Sequence, residues 1–177
     1  LYNFAEDEYN AKAFKKSKEF MNNTKGLFIY GGCGTGKTHL AIGTHNSLKN
    51  RGDWFKFYSR FVSVPELQLR IRSCFRKESN ETEQEIVEFY TDEIIYLFLD
   101  DFGAEKITDF SVEVIYLILD RRLRQNKWKT FITSNFDLSK LAELTSDRIV
   151  SRIVEMCDIC KIGGTDKRLK MSLINTN

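Results

Sequence analysis

The chain has 177 residues, 42% hydrophobic and 29% charged, the balance of one ordinary globular domain and not of a disordered or repetitive chain. Its longest apolar stretches are only a strand's length and nothing near its start resembles a signal peptide, so neither membrane insertion nor export is supported and a cytoplasmic protein is expected. A net charge of +2 is too small to mark the whole surface as basic, so any DNA-contacting region must be local.

Taken in chain order, Phe14 and Phe20 among polar neighbours predict an amphipathic helix over about 6–21, closed by Asn22-Asn23. Leu27-Phe28-Ile29-Tyr30 is an apolar run of strand length, and a glycine-rich turn follows at once. A helix over about 36–50 stops near Arg51-Gly52, and the aromatic stretch 54–58 predicts a second strand. Ser63-Val64-Pro65-Glu66 is a capping-box pattern with proline in the first turn, so a helix runs from there to about 75. Its polar face carries Arg70, Arg72 and Arg76. More helix is predicted over about 81–90, and 94–99 is a continuous apolar run that fits a strand buried on both faces. A helix over 111–125, a strand over 130–134, a helix over about 146–155 and a strand over 157–162 complete the alternation. Such alternation predicts a five-stranded parallel sheet with helices on both faces.

Cys33, Cys74, Cys157 and Cys160 are too sparse for a disulfide framework. Cys157 and Cys160 have the spacing of half a zinc site but no second pair, and are expected to pack as buried apolar side chains.

The turn after the first strand reads Gly31-Gly32-Cys33-Gly34-Thr35-Gly36-Lys37-Thr38, the pattern G-x-x-x-x-G-K-[ST] between a strand and a helix. Its glycines let backbone N–H groups surround phosphates, and the following helix N-terminus favours negative charge. Lys37 is expected to reach the β- and γ-phosphates of ATP, and the Thr38 hydroxyl to ligate Mg2+. A second pattern, Ile95-Tyr96-Leu97-Phe98-Leu99-Asp100-Asp101, delivers carboxylates at a strand's C-terminal end. Asp100 is the expected magnesium partner and Asp101 the base that polarises the attacking water. Asn135, at the end of the fourth strand, would share that edge of the sheet and orient the water or touch the γ-phosphate, although an asparagine there also suits a turn.

Three ordered motifs, GGCGTGKTHL, YLFLDDFGAEK and FITSNF, resemble the AAA+ ATPases, and within them the helicase-loader branch of DnaC, DnaI and IstB type. The resemblance covers nearly the whole chain. It implies a single AAA+ domain over 1–177, a P-loop NTPase of three α/β/α layers. It also implies a helical insertion between strands two and three; the short tail after Ile162 is too little for the helical lid many AAA+ proteins carry, so no lid is expected. Asn135 then matches the sensor 1 residue, His39 belongs to the nucleotide-binding signature, and Asp101 stands where many relatives carry glutamate. The run Leu144 to Ile153 resembles the arginine-finger region, with Arg152 reaching the ATP of an adjacent subunit and Arg148 as second choice. Gly163-Gly164-Thr165-Asp166-Lys167-Arg168 resembles the branch's closing G-x-D-x-R motif, with Arg168 able to contact nucleotide.

In this branch the insertion contacts single-stranded DNA, which suggests Arg70, Arg72, Arg76 and Lys77 for phosphates and Phe75 for base stacking. The same residues would equally suit a solvated helix face. The implied partners are single-stranded DNA, a ring helicase or, in the IstB-type alternative, a transposase, and further copies of this chain across the nucleotide interface. A third reading is a nucleotide-gated binding module with little hydrolysis. Because the sequence starts on Leu1, it is expected to be a fragment lacking an N-terminal partner-binding region.

Overall fold

The computed structural model describes residues 4, 6–74, 80–104, 108–125 and 129–166. Five strands, β1 (Gly26–Tyr30), β2 (Ser59–Ser63), β3 (Tyr96–Phe102), β4 (Lys129–Ser134) and β5 (Cys157–Lys161), form one all-parallel sheet in the order β2-β3-β4-β1-β5. The helices are α1 (Ala11–Glu19), α2 (Lys37–Lys49), α3 (Asp53–Phe57), α4 (Val64–Ser73), α5 (Glu83–Glu88), α6 (Asp109–Gln125), α7 (Leu138–Leu144) and α8 (Asp147–Met156). None of the described helices is long and apolar enough to cross a membrane.

Successive strand residues point to opposite faces, and the apolar runs therefore feed two cores. Phe28, Leu97, Leu99 and Ile132 pack with Val114, Ile118, Ile149 and Ile153 on the α6–α8 side. Leu27, Ile29, Phe98 and Phe131 pack with Phe14, Leu40 and Leu48 on the α1–α2 side. This is the predicted α/β/α sandwich. Cys157 and Cys160, three apart on β5, fall in opposite cores, so they cannot share a metal.

The predicted strand over 54–58 is corrected. Residues Asp53–Phe57 form the short helix α3, and the edge strand follows as Ser59–Ser63, in register with β3 through Ser63 opposite Asp100. Aromatic β-propensity misled here because it describes a half-buried pleated surface, whereas Phe57 is 77% exposed and Trp54 50%. The helix α7 was not foreseen; Asp137 caps it by accepting from the Lys140 N–H at 2.9 Å.

Between β2 and β3 lies the expected helical insertion. The capping box forms as predicted, with Ser63 and Glu66 bonding each other's backbone, and a second one, Thr82 with Glu85, opens α5. From Phe89 to Glu93 the helix widens into a π-turn. No helix follows β5 among the described residues.

Candidate nucleotide-binding site

All five strands run the same way, so the C-terminal ends of β1, β3 and β4 share one edge. Tyr30 and Phe102 both stand opposite Ser134. On that edge the phosphate loop passes directly into α2, which opens at Gly36 with φ of 101°. Gly34 adopts φ of 68°, and a Cβ there would fall 1.8 Å from Asp166 Oδ1, so neither backbone nor space admits a side chain. Asp166 of the closing motif thus lies against the phosphate loop. Lys37 is buried, and its ammonium donates to the carbonyl oxygens of Gly31 at 2.8 Å and Gly32 at 2.7 Å. The amine is held inside the loop. Cys33 and His39 are exposed, and the His39 ring stands 5.5 Å from Phe4, which stacks in turn on Phe14.

Along a regular strand Asp100 and Asp101 would face opposite sides of the sheet. The register between β3 and β4 slips after Leu99, and Asp101 takes φ of 55°, in the left-handed region. A bulge of this kind re-aims side chains next to a site and stores about 1 kcal/mol or more of strain in a non-glycine residue. Thr133 on β4 holds it in place. Its hydroxyl donates to Asp100 Oδ1 at 2.5 Å and accepts the Asp101 N–H at 3.1 Å. Ser134 continues the clamp by donating to the Phe102 carbonyl at 2.7 Å. Asn135 comes next in the chain, half-buried at the same edge, with no hydrogen bond from its amide to any described residue.

Asp100 is 4% exposed. Burial pushes its carboxyl above the usual range and Asp101 adds to this, while hydrogen bonds from Thr133 and Thr38 and the charge of Lys37 pull it back. A desolvated carboxylate against the Thr38 hydroxyl at the mouth of a phosphate loop favours a hard cation. The oxygen donors fit magnesium, which keeps most of its water and takes one or two protein ligands plus phosphate oxygens.

The family model of the IstB-like ATP binding proteins matches residues 2–174. The chain belongs to the IstB-like ATP-binding protein family. The replicative helicase loader DnaI of Bacillus subtilis is 29% identical over 168 residues, spanning 88% of this chain and 51% of that protein. A crystal structure of DnaI superimposes with a TM-score of 0.75 at 29% identity over 92% of this chain and 90% of that one. The replication initiator DnaA bound to AMPPCP and single-stranded DNA superimposes with a TM-score of 0.78 at 25% identity, over 99% of this chain and 55% of the other. The fold is therefore a P-loop AAA+ domain, and this IstB-like chain is a nucleotide-binding relative of the helicase loaders. It spans about half the length of the DnaI it matches.

The remaining residues named from sequence fall into three groups. Arg152 is tied within its own chain, with Nε 2.8 Å from Asp120 Oδ1 in an ion pair that is out of line for a hydrogen bond; Arg148 lies over the Tyr116 ring at 4.1 Å. In the insertion, Arg70 is committed to Glu81 through two nitrogens, with Nε to Oε2 at 2.9 Å, and it also reaches the Tyr90 hydroxyl at 3.2 Å. Arg72 is exposed beside Leu69. Phe75, Arg76, Lys77 and Arg168 lie outside the described residues.

Sequence reading of this IstB-like chain missed two residues that build the site and its support. Thr133 shapes the aspartate bulge; its place in Thr133-Ser134-Asn135 was visible, but its reach across to β3 was not. Arg122 on α6 is 1% exposed and donates to the carbonyls of Tyr90, Ile94, Ile95 and Lys129 and to the Thr130 hydroxyl, at 2.6–3.0 Å. Burial pulls its pKa down to about 9, which leaves it charged at neutral pH. It pins the end of the π-turn and the starts of β3 and β4.

Proposed function

We propose that this chain is the ATP-hydrolysing domain of a helicase loader, in which nucleotide bound between subunits controls a grip on single-stranded DNA and the placing of a ring helicase. The observation that carries this reading is the junction of Lys37 and Thr38 with the Thr133-braced pair Asp100 and Asp101 on one sheet edge. Lys37 moves from the loop carbonyls to neutralise the β- and γ-phosphates. Thr38 and Asp100 would hold magnesium, whose charge would offset that developing on the phosphates. Asp101 accepts a proton from the attacking water, and Asn135 orients that water. Arg152 of a neighbouring subunit completes the charge balance, so hydrolysis requires assembly. An aspartate in the base position reaches less far than a glutamate, which suits slow turnover. Phe4 and His39 lie together beside the loop's exit, where they would pack on the base.

The test uses two variants of the full-length protein. Lys37→Ala is expected to weaken ATP binding at least tenfold, whereas Asp101→Ala keeps binding and loses DNA-stimulated phosphate release. Unchanged nucleotide affinity in Lys37→Ala overturns the site; binding without turnover in the wild-type protein, with DNA and partner present, leaves only a nucleotide-gated binding module. The IstB-like family match supports one alternative partner, a transposase in place of the helicase. Co-purification of the full-length protein with a ring helicase favours the loader, and with a transposase the alternative.

A further inference from the structure

On α6 Tyr116 and Asp120 lie against Arg148 and Arg152 of α8, and each helix adds a charge of its own, Arg124 beside Asp120 and Glu155 beside Arg152. Asp120 is the centre of this cluster, 8% exposed, with Oδ1 2.8 Å from Arg152 Nε and Oδ2 2.9 Å from Arg124 Nε. The Arg152 terminal nitrogens are held more loosely, Nη1 at 3.3 Å from Glu155 Oε2 and Nη2 at 3.5 Å from the Tyr116 hydroxyl. The guanidinium is therefore paired by charge with Asp120 at its inner nitrogen, while its hydrogen bonds, both long, are made by the outer pair. Those outer nitrogens are the fork that grips a phosphate through two parallel bonds.

We propose that Asp120 and Tyr116 are positioning residues for the arginine offered in trans: the buried charge of Asp120 holds the Arg152 guanidinium against α6, and Tyr116 steadies its outer end and the adjacent Arg148. The inference rests on the reading of Arg152 as the residue that reaches the neighbouring subunit's ATP. Neither α6 residue touches the nucleotide. A flexible arginine without this anchor samples many rotamers, and the chance of meeting the γ-phosphate in the reactive geometry falls accordingly.

The experiment measures ATP hydrolysis by full-length assemblies on single-stranded DNA, alone and mixed. Asp120→Asn is expected to lower kcat roughly tenfold or more with ATP affinity unchanged. Mixed with Asp101→Ala subunits it regains activity, because interfaces then form between an intact base site and an intact arginine; mixed with Arg152→Ala it regains none. Tyr116→Ala, a change on a half-exposed surface residue, repeats the pattern with a smaller fall and serves if Asp120→Asn fails to fold by circular dichroism. Wild-type kcat in Asp120→Asn or in Tyr116→Ala overturns the proposal. So does failure of either to regain activity with Asp101→Ala while Arg152→Ala succeeds. If Arg152→Ala with Asp101→Ala also fails at every ratio, the trans reading itself falls.

Discussion

Single residues act here through what they are denied as much as through what they touch. Asp100 is denied water and held by Thr133 and Thr38, so its charge is best satisfied by a cation arriving with phosphate. His45 on α2 is a structural counterpart. It lies between Phe61 and Phe98, with Nε2 3.2 Å from Ser59 Oγ, and Ser59 itself donates to the Phe55 carbonyl at 2.6 Å. With its only hydroxyl proton spent there, Ser59 accepts from the His45 Nε2–H. Burial lowers the His45 pKa from the ordinary 6.5 to about 4. The folded pKa lies below the unfolded one, so the unfolded chain binds the proton first as pH falls. This contribution to stability is complete above pH 6.5 and is lost towards pH 4, by up to roughly 3 kcal/mol at about 1.4 kcal/mol per unit. Denaturant midpoints at pH 7 and pH 5 are expected to diverge in the wild-type protein and to diverge less in His45→Gln; an equal divergence in both would remove His45 as the cause.

Among elements, the insertion between β2 and β3 shows how similar arginines on one helix acquire different work. Arg70 and Arg72 lie two residues apart on α4. Arg70 bridges to Glu81 ahead of α5 and packs its guanidinium 4.8 Å from the Phe89 ring, and the hydrogen bonds it donates to Glu81 raise its pKa further. It joins the two ends of the insertion. Among the described residues Arg72 has only a long bond to the Gln68 carbonyl at 3.4 Å, and its side chain is exposed. Arg70→Ala is accordingly expected to cost on the order of 1 kcal/mol of stability in a thermal melt. Arg72→Ala is expected to leave the melt unchanged, weaken single-strand binding and reduce its salt slope by about 1. The reverse assignment of the two effects would show that Arg70 leaves Glu81 to bind phosphate.

For the whole molecule, the sheet order places the phosphate loop, the aspartates and Asn135 on one edge, while Arg152 is carried on α8 and bound to α6. On the proposal that Arg152 acts in trans, the two halves of the reaction meet between copies. Hydrolysis per subunit is expected to rise with protein concentration and to saturate as assemblies form, measured by phosphate release alongside sedimentation. A rate per subunit independent of concentration down to the monomer would mean that one chain holds the complete site.

Much of this was legible in the linear sequence because it rests on local physics. The phosphate loop is contiguous, its glycines are demanded by backbone geometry, and the Ser63 capping box and the apolar strand runs announce themselves within a few residues. The alternation of elements was sufficient for the parallel sheet and its two covered faces. What required tertiary structure was everything joined across long separations. The identity of the edge strand was settled by pairing with β3, against the aromatic propensity of 54–57. Thr133 braces a bulge 32 residues away in the chain, and Arg122 gathers acceptors from three segments. Arg70 and Arg72 were indistinguishable as letters because a charge is given its task by its partner, and partners meet only when the chain has folded.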